Sequence, residues 1–143
     1  MTGDYAASEK FLCTMIGARL SDHVHQQLPD GSVLSVAFMH TGLRHHSVAY
    51  VEGPIGGTSK LHHVEVTANR IADVGTSYER LQAAGIRMGI TLGQHPNDMD
   101  MSFYAQSPSN FLFELGYTGI RIEDEDAWSP RVYDRISLWG HTF

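Results

Sequence analysis

A single cysteine in 143 residues, Cys13, leaves no pair for an internal disulfide and removes every multi-cysteine zinc or iron–sulfur site. Basic residues are also few: 10 Lys and Arg stand against 16 Asp and Glu, for a formal net charge of -6. Nucleic-acid binding through a broad basic face is thereby excluded, because phosphate contacts need clustered cations. No apolar run approaches the roughly 18 residues of a membrane helix, and the polar start, Met1 to Tyr5, is no signal peptide. With 42% hydrophobic, 10% aromatic and 18% charged residues, the chain suits a folded globular domain rather than a disordered or collagen-like one. These shortages describe one cytoplasmic domain spanning residues 1–143.

Histidine is what the sequence has in excess. Nine are present, and they are dispersed (His23, His25, His40, His45, His46, His62, His63, His95, His141), so no purification tag accounts for them. Imidazole is a common metal ligand and the side chain that titrates near neutrality, so their placement carries the search for function.

Periodicity predicts the elements. A helix is expected over 6–16, capped by Asp4 and stopped by Gly17, with Ala7, Phe11 and Met15 as its apolar stripe. Strands are expected at 18–26, at 32–40 after the turn Pro29-Asp30-Gly31, and at 46–52. Gly53-Pro54-Ile55-Gly56-Gly57 is the main loop. A second round follows: a strand at 61–67, then a helix capped by Asn69 with Ile71, Val74, Tyr78 and Leu81 on its apolar face, ended by Gly85. Three strands, at 86–92, 100–105 and 111–117, complete it. The second half reads β-α-β-β-β, and the first half has the same order without its opening strand. Gly17 and Gly85 put the halves in register, and the counterpart of His63 would fall upstream of Met1. Module 1 is thus about 1–53, module 2 about 60–118, with an acidic and then aromatic tail over about 119–143.

Four stretches could carry chemistry. In Leu61-His62-His63-Val64-Glu65-Val66, alternation puts His63 and Glu65 on one face, with His62, Val64 and Val66 on the other. That polar face fits a lined cavity, and equally an exposed or satisfied histidine. Glu114 interrupts the apolar run Phe111-Leu112-Phe113-Glu114-Leu115; buried, it needs a partner or a metal, and at an edge it needs only water. Gly93-Gln94-His95-Pro96-Asn97-Asp98 leads into Ser102-Phe103-Tyr104 and offers polar groups to a ligand, or a turn built by Asn and Asp. Arg44-His45-His46-Ser47 places two histidines at a strand start, where one could carry a proton.

Taken together these stretches resemble the catalytic C-terminal domain of the type I extradiol ring-cleaving dioxygenases, members of the vicinal oxygen chelate superfamily. The most specific match is Gly93-x-His95, then Phe103-Tyr104, Pro108 and Glu114. Gly17-Ala18-Arg19-Leu20-Ser21-Asp22, Phe38-Met39-His40, Arg44-His45-His46-Ser47, His62-His63, Asp73-Val74-Gly75 and Leu138-Trp139-Gly140-His141 extend it over nearly the whole chain. Ser107 and Asn110 depart from the family pattern, both within a turn.

The resemblance implies an α+β fold of two βαβββ modules, the first lacking its first strand, around a two-His-one-carboxylate site for Fe(II), sometimes Mn(II). His63 and Glu114 would be two of the ligands. The third, a His, is expected on a strand upstream of Met1, so the chain as written is expected to hold iron weakly or not at all. His46 and Tyr104 would be catalytic, and His95, Asn97 and Asp98 would contact a catechol-type substrate cleaved with O2. His45 is expected to point away from His46 and to tolerate Ala. The alternative is a glyoxalase-like or small-molecule-binding member of the same superfamily. No nucleic-acid or membrane partner is expected, and self-association stays open.

Overall fold

The computed structural model describes residues 4–53 and 61–143. Its elements run α1 (Tyr5–Ile16), β1 (Arg19–Gln27), β2 (Val33–His40), β3 (Val48–Glu52), β4 (His63–Ala68), α2 (Ile71–Ala83), β5 (Met88–Gln94), β6 (Asp100–Gln106), β7 (Leu112–Thr118) and β8 (Arg131–Tyr133). Two compact units result: residues 1–60 with 120–136, and residues 61–119 with 137–143. Each holds a helix and a four-stranded mixed sheet, the α+β architecture expected of paired βαβββ modules. The loop expected at Gly53-Pro54-Ile55-Gly56-Gly57 lies, beyond Gly53, outside the described residues.

In the first unit the sheet order is β3-β2-β1-β8. Asp4 caps α1 by accepting from the Ala7 N–H at 2.9 Å, and Gly17 closes it at φ 65, a left-handed conformation that glycine adopts without a Cβ penalty. The expected stripe of Ala7, Phe11 and Met15 does not face the sheet. Leu12 does, packing with Ala18 and Met39, while Phe11 and Met15 are each 57% exposed. The residue meeting the sheet is set by where β2 and β3 present a hollow, and periodicity along the helix cannot report that.

The opposite face of this sheet holds Val24, Leu34, Val36 and Phe38, with Ala49, Val51, Tyr133 and Ile136 against them. β1 and β2 pair antiparallel, but the register slips between Leu20 and Asp22, leaving Ser21 as an extra residue. Such a bulge breaks alternation, and Ser21 and Asp22 are both fully buried. β8 was not expected. It runs parallel to β1 with Asp22 opposite Arg131, and three residues inside a polar tail carry no pattern that announces a strand.

In the second unit the order is β4-β7-β6-β5, with β4 parallel to β7. α2 lays Val74, Tyr78 and Leu81 on Phe103, Ala105, Leu115 and Tyr117. Its N-cap is Arg70, not Asn69, and no side chain caps it; Arg70 instead pairs with Asp73 at 2.6 Å. Ile71, counted with the apolar face, is 53% exposed because it opens the helix before the face reaches the sheet. Since Phe103 and Ala105 face α2, alternation turns Ser102 and Tyr104 to the other side of the sheet. Residues 137–143 run beside β5, through Leu138 N–H to Gln94 O (2.8 Å) and Gln94 N–H to Trp139 O (3.0 Å).

Candidate metal centre and proton-transfer residues

The register of the second sheet assembles one cluster on the face turned away from α2. β4 and β7 place Glu65 opposite Glu114, and β6 and β7 place Tyr104 opposite Glu114. His63, two residues before Glu65, shares that face, so the alternation read from the sequence holds. His63 Nε2 stands 3.3 Å from Glu114 Oε2. Ser102 Oγ–H donates to Glu114 Oε1 at 2.6 Å, and His95 Nε2 lies 2.8 Å from the Tyr104 hydroxyl and 3.7 Å from Glu114 Oε1. Glu114 is therefore interior and partnered, not an edge residue in water.

Electrostatics follow from that burial. Desolvation alone would push the Glu114 carboxyl up, but the hydrogen bond from His95, the attraction of His63 and His95, and the Ser102 hydroxyl outweigh it and bring it to about 2. It is ionised at neutral pH. Burial lowers His63, with Glu114 opposing, and pushes His62 down to about 4, helped by repulsion from His63. Burial and the Glu114 charge raise Tyr104 well above its ordinary value, so it stays a phenol and a hydrogen-bond donor.

His62 was expected on the opposite face. It precedes β4, so alternation does not constrain it, and its Nδ1 lies 2.7 Å from His63 Nδ1. A neutral His62 can accept the His63 Nδ1–H, which fixes His63 with its lone pair on Nε2, toward Glu114. This is the outer-shell orientation that metal-binding histidines use. The donor set also fits. One neutral imidazole nitrogen and one carboxylate oxygen suit a divalent first-row metal, and neighbouring ligands at roughly 2.1 Å from such an ion stand roughly 3 Å apart.

Asn97 and Asp98 occupy the buried loop between β5 and β6. Asp98 Oδ1 accepts from Asp100 N–H at 3.0 Å. Asn97 is 1% exposed and neither end of its amide finds a partner, an arrangement that costs free energy unless a ligand or water satisfies it. His141, from the tail, was given no role by the sequence. It stacks on His95 at 4.5 Å, its Nδ1–H donates to Thr91 O at 2.8 Å, and its buried Nε2 has no partner.

His46 belongs to the first unit, half-buried, with its ring edge-on to Phe38 at 4.9 Å. Its neighbour His45 contradicts the expectation that it points away. His45 is buried, its Nε2 lies 2.7 Å from Asp22 Oδ2, and its Nδ1 lies 3.2 Å from His46 Nδ1. The reason is local: β3 begins only at Val48, so residues 45 and 46 are not strand and do not alternate. Ser102, Asp22 and His45 were thus missed as site residues, although the phase of Ser102 with Tyr104 could have found the first.

Over residues 1–115 the chain matches the family described as the Glyoxalase/Bleomycin resistance protein/Dioxygenase superfamily. It is 38% identical over 140 residues to the 3-methylcatechol 2,3-dioxygenase of Pseudomonas putida, covering 98% of this chain and 46% of that protein. It is 35% identical over 150 residues to the iron-dependent extradiol dioxygenase of Rhodococcus jostii, covering 99% and 48%. The crystal structure of 2,2',3-trihydroxybiphenyl 1,2-dioxygenase from Sphingomonas wittichii superposes with a TM-score of 0.88 at 31% identity, over 97% of this chain and 47% of that one. The chain therefore spans about half the length of the relatives it matches. With its paired mixed sheets and its His63–Glu114 cluster, it belongs to the Glyoxalase/Bleomycin resistance protein/Dioxygenase superfamily.

Proposed function

We propose that residues 1–143 are one catalytic domain of an extradiol ring-cleaving dioxygenase, acting on a catechol-type diol with O2. The observation that carries this reading is the pairing of His63 Nε2 with Glu114 Oε2 at 3.3 Å, backed by Tyr104 and His95 on the same face. His63 and Glu114 would hold Fe(II), or Mn(II) in its place. When bound, the metal supplies a Lewis-acidic centre at which a diol and dioxygen meet.

The remaining roles belong to the chain. Glu114 is ionised and needs no deprotonation to serve as a ligand. Tyr104, held as a phenol, donates a hydrogen bond to an oxygen of the substrate, and His95 orients it from 2.8 Å. Asn97 gives its unsatisfied amide to the substrate, with Asp98 bracing the loop that carries it. His46 takes a diol proton and returns it later, since an imidazole with an ordinary pKa of about 6.5 suits transfer near pH 7. This reading sets the protein in the cytoplasm, where Cys13 stays reduced.

The test is anaerobic Fe(II) titration followed by exposure to catechols and air. Iron-dependent formation of the yellow ring-opened product, abolished in His63→Ala and Glu114→Ala, supports the reading. Iron binding without ring cleavage, alongside turnover of a non-aromatic substrate, would replace it with the glyoxalase-like alternative.

A further inference from the structure

Two buried residues behind His46 take no part in the roles above. The bulge at Ser21 turns Asp22 into the interior of the first unit, where it is fully buried. One carboxylate oxygen, Oδ1, accepts the Arg131 N–H at 2.6 Å. The other, Oδ2, faces His45 Nε2 at 2.7 Å. The His45 ring is walled by Trp128, edge-on at 5.7 Å, and by Phe38 at 6.1 Å. Trp128 is itself pinned by its Nε1–H to Ser21 O at 3.0 Å, and the Ser21 hydroxyl donates to the His45 carbonyl. Ring and backbone of His45 are both held.

Counting protons along this line fixes every nitrogen. A carboxylate only accepts, so His45 carries its hydrogen on Nε2. A neutral imidazole has one N–H, so His45 Nδ1 is a lone pair. It lies 3.2 Å from His46 Nδ1, with the two rings perpendicular at 87°. A hydrogen bond between two ring nitrogens needs one hydrogen, and here only His46 can supply it.

We propose that Asp22 and His45 form a buried relay that locks His46 in its Nδ1–H tautomer and makes Nε2 its proton-accepting nitrogen. Asp22 and His45 are positioning residues, acting through His46. The consequence for proton transfer rests on the reading of His46 given above; the tautomer does not. When His46 gains a proton at Nε2, its positive charge lies against a lone pair polarised by the Asp22 carboxylate. The imidazolium is stabilised without moving a second proton. Without the relay, His46 would divide between two tautomers and present the wrong one part of the time.

The test is long-range 1H–15N spectroscopy on the 143-residue chain labelled at its histidine ring nitrogens, near pH 7. The expected parent spectrum shows His45 as Nε2–H and His46 as Nδ1–H. Asp22→Asn should invert both, because Arg131 N–H keeps the amide oxygen on its side and turns the NH2 toward His45. That forces His45 to Nδ1–H and His46 to Nε2–H. His45→Gln, which can still donate to Asp22, should leave His46 without its fixed tautomer, and thermal melts report whether each variant folds. A parent spectrum with His46 as Nε2–H, or with His45 doubly protonated, overturns the relay whatever the variants do.

Activity separates the two layers of the argument. If the iron-loaded chain cleaves catechols, Asp22→Asn should lower kcat by roughly tenfold to a hundredfold with KM nearly unchanged. An unchanged kcat overturns the positioning role. If no form of the chain cleaves catechols while the tautomers are as stated, the dioxygenase reading fails and the relay stands.

Discussion

Glu114 owes its character to what the sheet register puts around it. A carboxylate interrupting Phe111-Leu112-Phe113 and Leu115 would be costly to bury unpaired, yet Ser102, His95 and His63 converge on it. Tyr104 completes the set, and its replacement gives a sharp expectation. Tyr104→Phe removes the hydroxyl 2.8 Å from His95 Nε2 and keeps the ring that packs edge-on to His63 at 5.1 Å. Iron affinity should change little and stability should fall by about 1 kcal/mol. Ring cleavage should fall by about 10²-fold, the lower end for a positioned proton-handling group. Parallel iron titration, thermal melting and steady-state rates check this, and loss of iron in Tyr104→Phe would contradict it.

At the scale of elements, the tail segment 137–143 is held against β5 by backbone contacts that leave no room for a side chain. A Cβ on Gly93 would meet the Trp139 carbonyl oxygen at 2.5 Å and the His141 ring at 2.7 Å. Gly93→Ala should therefore push the tail off β5 and cost about 1–3 kcal/mol, the usual penalty for overpacking. The expected signs are a lower melting temperature and a red-shifted tryptophan emission as Trp139, bonded through Nε1–H to Gln94 Oε1 at 2.9 Å, enters water. Because His141 stacks on His95, the same change should also disturb the His95–Tyr104 hydrogen bond. The bulge at Ser21 does comparable work in the first unit, aiming Asp22 at His45 and at the start of β8.

Across the whole molecule, the buried carboxylate links folding to pH. Glu114 is held at about 2 against an ordinary value of 4.5, so the unfolded chain binds more protons between those limits. Its contribution is fully present above about pH 4.5 and is lost as the pH falls toward 2. The separation corresponds to stabilisation on the order of 3 kcal/mol. Chemical denaturation of the metal-free chain should thus show stability falling over this window, and Glu114→Gln should flatten it. An identical acid profile in the variant would mean that other carboxylates govern acid unfolding. Ferrous iron bound at His63 and Glu114 should add stability in proportion to its free concentration over its Kd, and a chelator should remove it.

Alternation along strands, helix caps and the turn residues are local properties, and the sequence by itself determined them. They were enough to set His63, Glu65, Ser102, Tyr104 and Glu114 in phase and to mark the two βαβββ halves. Asp4 and Gly17 likewise fixed the ends of α1 through φ and hydrogen bonding within a few residues. Only the tertiary structure decided that Leu12, not Phe11 and Met15, anchors α1, because that depends on the shape of a sheet made by distant residues. It alone decided the pairing of β8 with β1, where Arg131 meets Asp22 across 109 positions of chain. The inward turn of His45 has the same origin. A bulge shifts the phase of everything beyond it, and residues 45 and 46 stand outside any strand, so no period of two could aim them. Nearest-neighbour sterics write themselves into sequence patterns, whereas contacts closed by a register slip or a returning tail exist only once the chain has folded.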